Sequence, residues 1–514
     1  MPRVIIVGAG LGGLSAAIGL AVRGWSVTVY DKNAQPGGRM STLTVGGYTW
    51  DVGPTLIMLP EVLQALFRTA GRRLEDYLDL RRVEPYYRVV FEEGRHLDLT
   101  GDRAAMIANV EAIEPGAGRK YVDFLAEAER LTRVTLPGII ERPFNGLGDL
   151  VKPDVLASLI RARPFSSVAA AVASHFATAA LRRAFSFQTL YLGSHPGRTP
   201  AAYLMIPFVE AALGVWYPMG GAHRIALAMA RLARELGVEV RLETAVRRIL
   251  TQGQRATGVL LADGRAERSD AVVANAEWCY TQRELLPRGE RVAGRDHGCS
   301  GVLFLAAVSG PLAGPHHTFI LSRDFAENLT DIFDRRRLPD HPSIYLSRPA
   351  ATDRSLTPDG AELLSILVPC PTLEGGVDWE RELPGFRRKV FERLGRVGLD
   401  HLEPRILAEA VLTPPMFGAR YNLTHGLAFG LAATLLQSGP FRPTLRSSRY
   451  RNLYHVGASS HPGGGVPIVM LSGRMVAEAV ERDFGALGRR ATVSVDRGVS
   501  EAQAWSGSTP PSPA

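Results

Sequence analysis

Residues 3–13 read R-V-I-I-V-G-A-G-L-G-G, and residues 27–31 follow as V-T-V-Y-D. Val4, Ile5, Ile6 and Val7 form a short unbroken apolar run, the mark of a parallel strand buried on both faces. Gly8, Gly10 and Gly13 then spell G-x-G-x-x-G, and residues 14–20 continue in a small-residue helical pattern. Gly8 permits the tight turn, Gly10 lets a pyrophosphate approach the backbone, and Gly13 lets the helix lie close on the strand. With Ala9 and Gly12 they form a loop that leads into unpaired N–H groups at a helix start, which suit phosphate. Asp31 ends the next strand where an acid meets a ribose 2′-OH, and Lys32 follows it. This predicts a dinucleotide-binding βαβ unit, with NAD and FAD equally compatible.

The 514 residues are 46% hydrophobic and 21% charged, ample for several cores, and the length predicts about two to four domains. A net charge of +8 admits nucleic acid, an anionic membrane or simple solubility as its reason. Without a recognisable nucleic-acid module, no nucleic-acid partner is expected. Cys279, Cys299 and Cys370 are widely spaced, which gives neither a disulfide framework nor a metal cluster and fits a reducing cytoplasm. No metal is expected. No secretory leader is read before the first strand, and the most apolar stretch, residues 201–219, is interrupted by Pro207, Glu210 and Pro218. Membrane contact is therefore expected to be peripheral.

Beyond Asp31, Gln35-Pro36-Gly37-Gly38-Arg39-Met40 opens a second loop whose arginine suits phosphate oxygens. Residues 48–55 predict a strand running into Gly53-Pro54-Thr55, and residues 61–77 a helix. Short strands are expected over 78–100 and helices over 103–213. Between 130 and 183, eight Lys and Arg (Arg130, Arg133, Arg142, Lys152, Arg161, Arg163, Arg182, Arg183) stand against three Asp and Glu, with Phe144, Phe165 and Phe176 interleaved. That mixture predicts a membrane-surface element. Ile225, Met229, Leu232 and Leu236 mark one face of a long helix, after which residues 238–276 read as strands of the nucleotide-binding domain. No second G-x-G-x-x-G is present there, which argues against separate FAD and NAD(P) sites. Residues 300–412 predict strands around one helix at 386–394, joined with 78–100 in a mixed sheet. The Ser- and Pro-rich tail from 489 is expected to be disordered.

Near the C-terminus, Asn452-Leu453-Tyr454-His455-Val456-Gly457-Ala458-Ser459-Ser460-His461-Pro462-Gly463-Gly464-Gly465-Val466-Pro467 precedes a helix. This stretch resembles the signature of the bacterial-type phytoene desaturases, FAD-dependent carotenoid desaturases. Residues 37–39, 51–55, 181–190, 216–221 and 352–360 match as well, so the resemblance covers nearly the whole chain. It implies an α/β architecture: a discontinuous Rossmann-like FAD-binding domain (1–77, 214–290, 413–488), an inserted mixed-sheet substrate domain (78–102, 291–412) and a helical, membrane-associating part (103–213), followed by the tail (489–514).

The resemblance implies FAD as the sole redox cofactor, held by the N-terminal residues named above together with Val246, Gly457, Ala458, Gly465, Pro467, Ile468 and Val469. It implies an apolar carotenoid drawn from the bilayer and dehydrogenated at allylic carbons, with a quinone or oxygen reoxidising the flavin at a cytoplasmic membrane surface. Glu210, an acid on an otherwise apolar helix, is the candidate proton acceptor, since an apolar setting raises a carboxyl pKa into a useful range. His461 reads more simply as a hydrogen-bonded loop histidine. The segment 465–473 looks closer to relatives acting on already desaturated or terminally modified carotenoids, so a terminal carotenoid oxidase or a hydroxycarotenoid desaturase is the alternative. From another class, prenyl-chain-binding escort proteins resemble the fold, but flavin loops at both chain ends speak against them.

Overall fold

The computed structural model describes residues 1–91, 94–144, 146–357 and 359–485. Its opening strand, Arg3–Val7, is the middle of a five-stranded sheet in the order Leu453–His455, Ala271–Ala274, Arg3–Val7, Ser26–Tyr30, Glu239–Arg241. All four pairings are parallel. Val4 and Ile6 pack toward helices on one face, while Ile5 and Val7 pack toward Ile249, Val259 and Leu261 of a three-stranded antiparallel sheet on the other. Burial on both faces is why this strand carries no polar alternation.

On the helical side, Leu11–Val22 crosses the closing helix Val466–Phe484 at backbone contact. A Cβ on Gly473 would lie 2.5 Å from the Gly12 carbonyl oxygen, and one on Gly19 would lie 2.9 Å from the Ala477 Cβ. The Ser15 hydroxyl donates to the Met470 carbonyl at 2.8 Å. The first and last helices of the described chain are thus one packing unit.

The second sheet has seven strands in the order Ile406–Leu412, Ser300–Val308, Glu362–Cys370, Ile344–Ser347, His317–Ile320, Tyr87–Val90, His96–Leu99. It is mixed, since Tyr87–Val90 runs parallel to His317–Ile320 and the other pairs are antiparallel. One face is covered by the helix Trp379–Leu394. This helix begins well before the expected residue 386: the Asp378 carboxylate accepts from the Arg381 amide, and Pro384 is accommodated inside it. Leu80–Val83 departs from the expected sheet and pairs with Val215–Pro218. The helix expected over 61–77 is Pro60–Thr69, followed after a break by the short turn Leu74–Asp76.

The described residues between 103 and 213 are mostly helical, around an aromatic core in which Phe176 and Phe185 stack at 4.8 Å. Half of the basic side chains there are paired with acids. Arg133 meets Glu129, Arg163 meets Glu127, Arg142 meets Asp154 and Lys152 meets Asp149. Arg183 is buried and donates to the Ser322 and Arg323 carbonyls, so it belongs to no surface stripe. Two of the neutralising acids precede the charge-dense window: Glu129 meets Arg133 one helical turn on, and Glu127 meets Arg163 across helix packing. Among the described residues no helix is long and apolar enough to cross a membrane. The tail expected to be disordered lies outside the described residues.

Candidate active site

The N-terminal loop meets the second one directly. Gly8 has φ +105° and donates to the Tyr30 carbonyl at 2.7 Å. A Cβ on Gly13 would sit 2.3 Å from the Gly8 oxygen, so this glycine serves helix–strand contact. No side chain caps the helix at Gly10, which leaves its first-turn N–H groups to a ligand. Gly37 (φ +110°) donates to the Ala9 carbonyl at 2.8 Å, and a Cβ on Gly53 would be 2.0 Å from the Arg39 carbonyl oxygen.

Asp31 accepts from the Ala9 and Asn33 amides, each at 2.8 Å, and burial raises its pKa. The Lys32 ammonium donates to the Ala419 carbonyl and to Asn422 Oδ1, closing that end of the loop. Arg39 donates to the Ala428 carbonyl at 2.8 Å, and burial lowers the pKa of its guanidinium.

The closing motif faces these loops. Gly457 follows the strand Leu453–His455, and Gly465 (φ +115°) precedes the helix Val466–Phe484, again with no side-chain cap. Two uncapped helix starts thus open on one cleft of about 510 Å³. Gly8, Gly10, Gly12, Asp31, Lys32, Gly37, Gly38, Arg39, Gly53, Pro54, Thr55 and Val246 line it, together with Gly457, Ala458, Gly465, Pro467, Ile468 and Val469. Ala9 and Gly13 lie just behind that surface. Asn275, missed in the sequence, lines the same cleft and donates from Nδ2 to the Gly8 carbonyl at 3.0 Å. It ends the apolar run 271–274 as Gly8 ends 4–7, which was its one readable signal.

Past Thr55 the cleft turns apolar, walled by Leu56, Met58, Phe187, Leu190, Tyr191 and Phe319 among others. The charged lining residues, Asp31, Lys32, Arg39, Asp51, Glu277 and Arg442, belong to the glycine-rich loops and their surroundings, and among the described residues none in the arm is charged. One polar chain enters the arm. The Thr55 hydroxyl lies 2.5 Å from the Tyr345 hydroxyl, which lies 2.8 Å from His317 Nδ1. His317 is fully buried, which drives its pKa well below the usual imidazole range, and its Nε2 has no partner. These residues carry no motif and were not read from the sequence.

Glu210 is placed differently from the other candidates. It is 0% exposed and does not line the cleft. Tyr87 donates to its Oε2 at 2.9 Å, Gln188 Nε2 donates to the Tyr87 hydroxyl at 2.9 Å, and Oε1 is unpartnered. Burial pushes its pKa up to about 8, so it is mostly protonated at neutral pH. His461 shares a hydrogen bond with the Arg142 carbonyl at 2.8 Å, as a loop histidine should, and burial pushes its pKa down to about 4.

The paired helix starts, the side-chain-free floor and the buried ribose acid fit a flavin dinucleotide stretched between the two loops. Residues 11–282 match the flavin-containing amine oxidoreductase family. The chain is 40% identical over 482 residues to the zeta-carotene-forming phytoene desaturase of Myxococcus xanthus, covering 93% of each chain. It is 35% identical over 491 residues to the 4,4'-diapolycopene oxygenase of a Methylomonas species, covering 94% of this chain and 98% of that one. An oxidoreductase from Methanosarcina mazei shares the fold, with a TM-score of 0.65 at 18% identity over 93% of this chain and 100% of the other. The chain therefore belongs to the flavin-containing amine oxidoreductases and, within them, to the FAD-dependent phytoene and carotenoid desaturases.

Proposed function

We propose that the chain dehydrogenates allylic C–C bonds of phytoene or a related carotene, taken from a bilayer into the apolar arm, and that a quinone or oxygen removes the electrons. The observation that carries this is the arm itself: apolar, aromatic-walled, without a charged lining residue among those described, and continuous with the cofactor cleft. An amine substrate would leave its ammonium unpaired there, at a cost of several kcal/mol, roughly, for an isolated buried charge. A polyene loses nothing by the same transfer, and each buried CH₂ contributes about 0.8 kcal/mol.

FAD, when bound, supplies the hydride acceptor. Gly8, Gly10, Asp31, Gly37, Gly38, Gly53 and the 457–469 segment would hold it, and the arm would orient the chain and exclude water. Once a hydride has left one allylic carbon, the adjacent C–H is acidic, and a weak base suffices. Tyr345 and His317 supply one: the hydroxyl oxygen accepts the carbon's proton as its own passes to His317 Nδ1. The 2.8 Å contact between the Tyr345 hydroxyl and His317 Nδ1 supports this route, and burial, which disfavours the charged imidazole, would return the proton promptly. Glu210 lies outside the cleft lining and is mostly protonated at neutral pH, and its role in this reading is to hold Tyr87 and the wall behind Tyr191.

Membrane contact is supported by a patch rather than by the basic stripe. Val151 (83% exposed), Ile160 (65%) and Phe165 (93%) are apolar side chains facing solvent within one segment, and Leu156 lies between them. The helix Pro153–Arg161 packs on the turn Leu136–Ile140, and Ile140 lines the cleft, so the patch adjoins a way in. Widely spaced free cysteines are consistent with the cytoplasmic side of that membrane.

Co-expression in cells that accumulate phytoene, followed by pigment chromatography, tests the reading. Loss of phytoene with coloured products supports it. Unchanged phytoene with conversion only of later intermediates favours the second reading, a terminal carotenoid oxidase, which the oxygenase relative and the 465–473 segment support.

A further inference from the structure

Three loops that approach one another behind the cleft wall bring together His297, Glu374 and His425. His297 precedes the strand Ser300–Val308, Glu374 lies in the turn Leu373–Gly375, and His425 lies in the turn Thr424–Gly426. His297 Nδ1 is 3.2 Å from Glu374 Oε1, and His425 Nε2 is 3.9 Å from the same oxygen. One donor atom from each residue fits within 4.8 Å of the others. Ligands around a tetrahedral zinc are about 3.3 Å apart, given bond lengths near 2.0 Å.

The cluster is more than a charge pair. His297 is 5% exposed, and its Nδ1, although close to the carboxylate, makes no aligned hydrogen bond. A buried ring nitrogen aimed at a carboxylate and a second imidazole, yet bonded to neither, has its lone pair free for a cation. Its other nitrogen faces Cys279 Sγ at 4.0 Å. That contact suits an Nε2–H donor, the tautomer that leaves Nδ1 to ligate. The second oxygen of Glu374 has its own neighbours, the Thr372 hydroxyl at 3.4 Å and the Arg336 guanidinium at 3.8 Å, so Oε1 is left as the converging atom.

We propose that His297 Nδ1, His425 Nε2 and Glu374 Oε1 bind one first-row divalent cation, zinc by preference, with solvent as the fourth ligand. Two imidazoles and one carboxylate are a zinc donor set, whereas calcium and magnesium require oxygen. Glu374 and His425 are partly exposed, which gives the ion an entry path. Cys279 packs with Trp278 and Leu431, both of which line the cleft. The ion is therefore a clip that ties three loops behind that wall.

The test uses the full chain loaded with FAD, stripped with a chelator and titrated with zinc alone by calorimetry, with the melting temperature followed in parallel. One zinc per chain and a rise in melting temperature are expected. His425→Ala and Glu374→Gln, at partly exposed positions, should weaken zinc binding by at least about 100-fold while flavin content stays that of the wild type. His401→Ala, at an exposed histidine outside the cluster, should bind zinc like the wild type. Absence of saturable binding by the wild type, or equal binding by His425→Ala and Glu374→Gln, overturns the site and leaves an ordinary histidine–carboxylate pair.

Discussion

The cofactor end of the cleft is made largely of backbone, and its apolar end largely of side chains. At the first, Gly37 and Gly53 are fixed by the backbone a Cβ would strike, Gly10 by the Asn275 amide and Gly8 by its φ of +105°, and the groups offered to a ligand are amides. At the second, Leu56, Met58, Phe187, Leu190 and Phe319 enclose volume, and any set of apolar residues of similar size does the same work. Recognition by backbone demands particular residues at fixed spacing, whereas recognition by an apolar wall demands only composition. The two ends should therefore differ in tolerance to substitution.

The largest expected effect follows from that contrast. Gly53→Ala places a Cβ 2.0 Å from the Arg39 carbonyl oxygen. It should cost more than about 4 kcal/mol or abolish soluble flavoprotein, since backbone cannot give way as a flexible side chain does. Leu190→Met, in the arm, should cost less than about 1.5 kcal/mol. Flavin absorbance per chain and the urea midpoint measure both, and equal losses would break the comparison.

The next prediction concerns the buried acid. An unfolded Glu210 ionises near 4.5, whereas the folded one keeps its proton to about 8. Between those values the folded state binds more protons than the unfolded state. Stability from this group is therefore greatest below the unfolded value, declines as pH rises through the window, and levels off above about pH 8. The ceiling is about 5 kcal/mol at 1.36 kcal/mol per pKa unit, reduced by any relaxation around the carboxylate. Urea unfolding from pH 5 to 9 should show this fall in the wild type and a smaller one in Glu210→Gln. Parallel profiles would mean that the carboxyl is ionised in the fold.

The same contrast explains what was legible. The strand–glycine–helix opening, Asp31 and the 457–469 segment could be read because each is a local pattern tied to one backbone task, and the fold class followed from them. Tyr345 and His317 could not. They lie on unremarkable strands, and the hydroxyl of one reaches the ring of the other only because Ile344–Ser347 pairs with His317–Ile320. Glu210 was conspicuous in sequence as an acid among apolar residues, but its surroundings come from Tyr87, more than a hundred residues away. In the basic stripe, the arginines were visible and the helix packing that brings Glu127 to Arg163 was not.

The Tyr345–His317 route and Glu210 can be separated directly. Tyr345→Phe and His317→Gln should each lower kcat about 100-fold, the usual scale for losing a positioned proton acceptor, with FAD still bound. Glu210→Gln should leave kcat near that of the wild type. The reverse ranking would return the proton to Glu210, and with it the cleft would need an opening through Tyr87 or Tyr191 that the structure does not show.

The smallest effect expected is at the membrane, where the apolar patch and its charges make separable contributions. Ile160→Ser with Phe165→Ser removes two apolar side chains that would enter the interface, and binding to anionic liposomes should fall about tenfold or more at any ionic strength. Arg161→Glu with Arg163→Glu acts through charge, at about 1 kcal/mol per residue near the surface, and salt screens it. Arg163 is already paired with Glu127, so the reversal should matter less than the residue count suggests, and its effect should vanish in high salt. Flotation at low and high salt distinguishes the two. If the serine pair floats like the wild type and the charge reversal does not, the basic stripe governs docking and the exposed phenylalanine has another purpose.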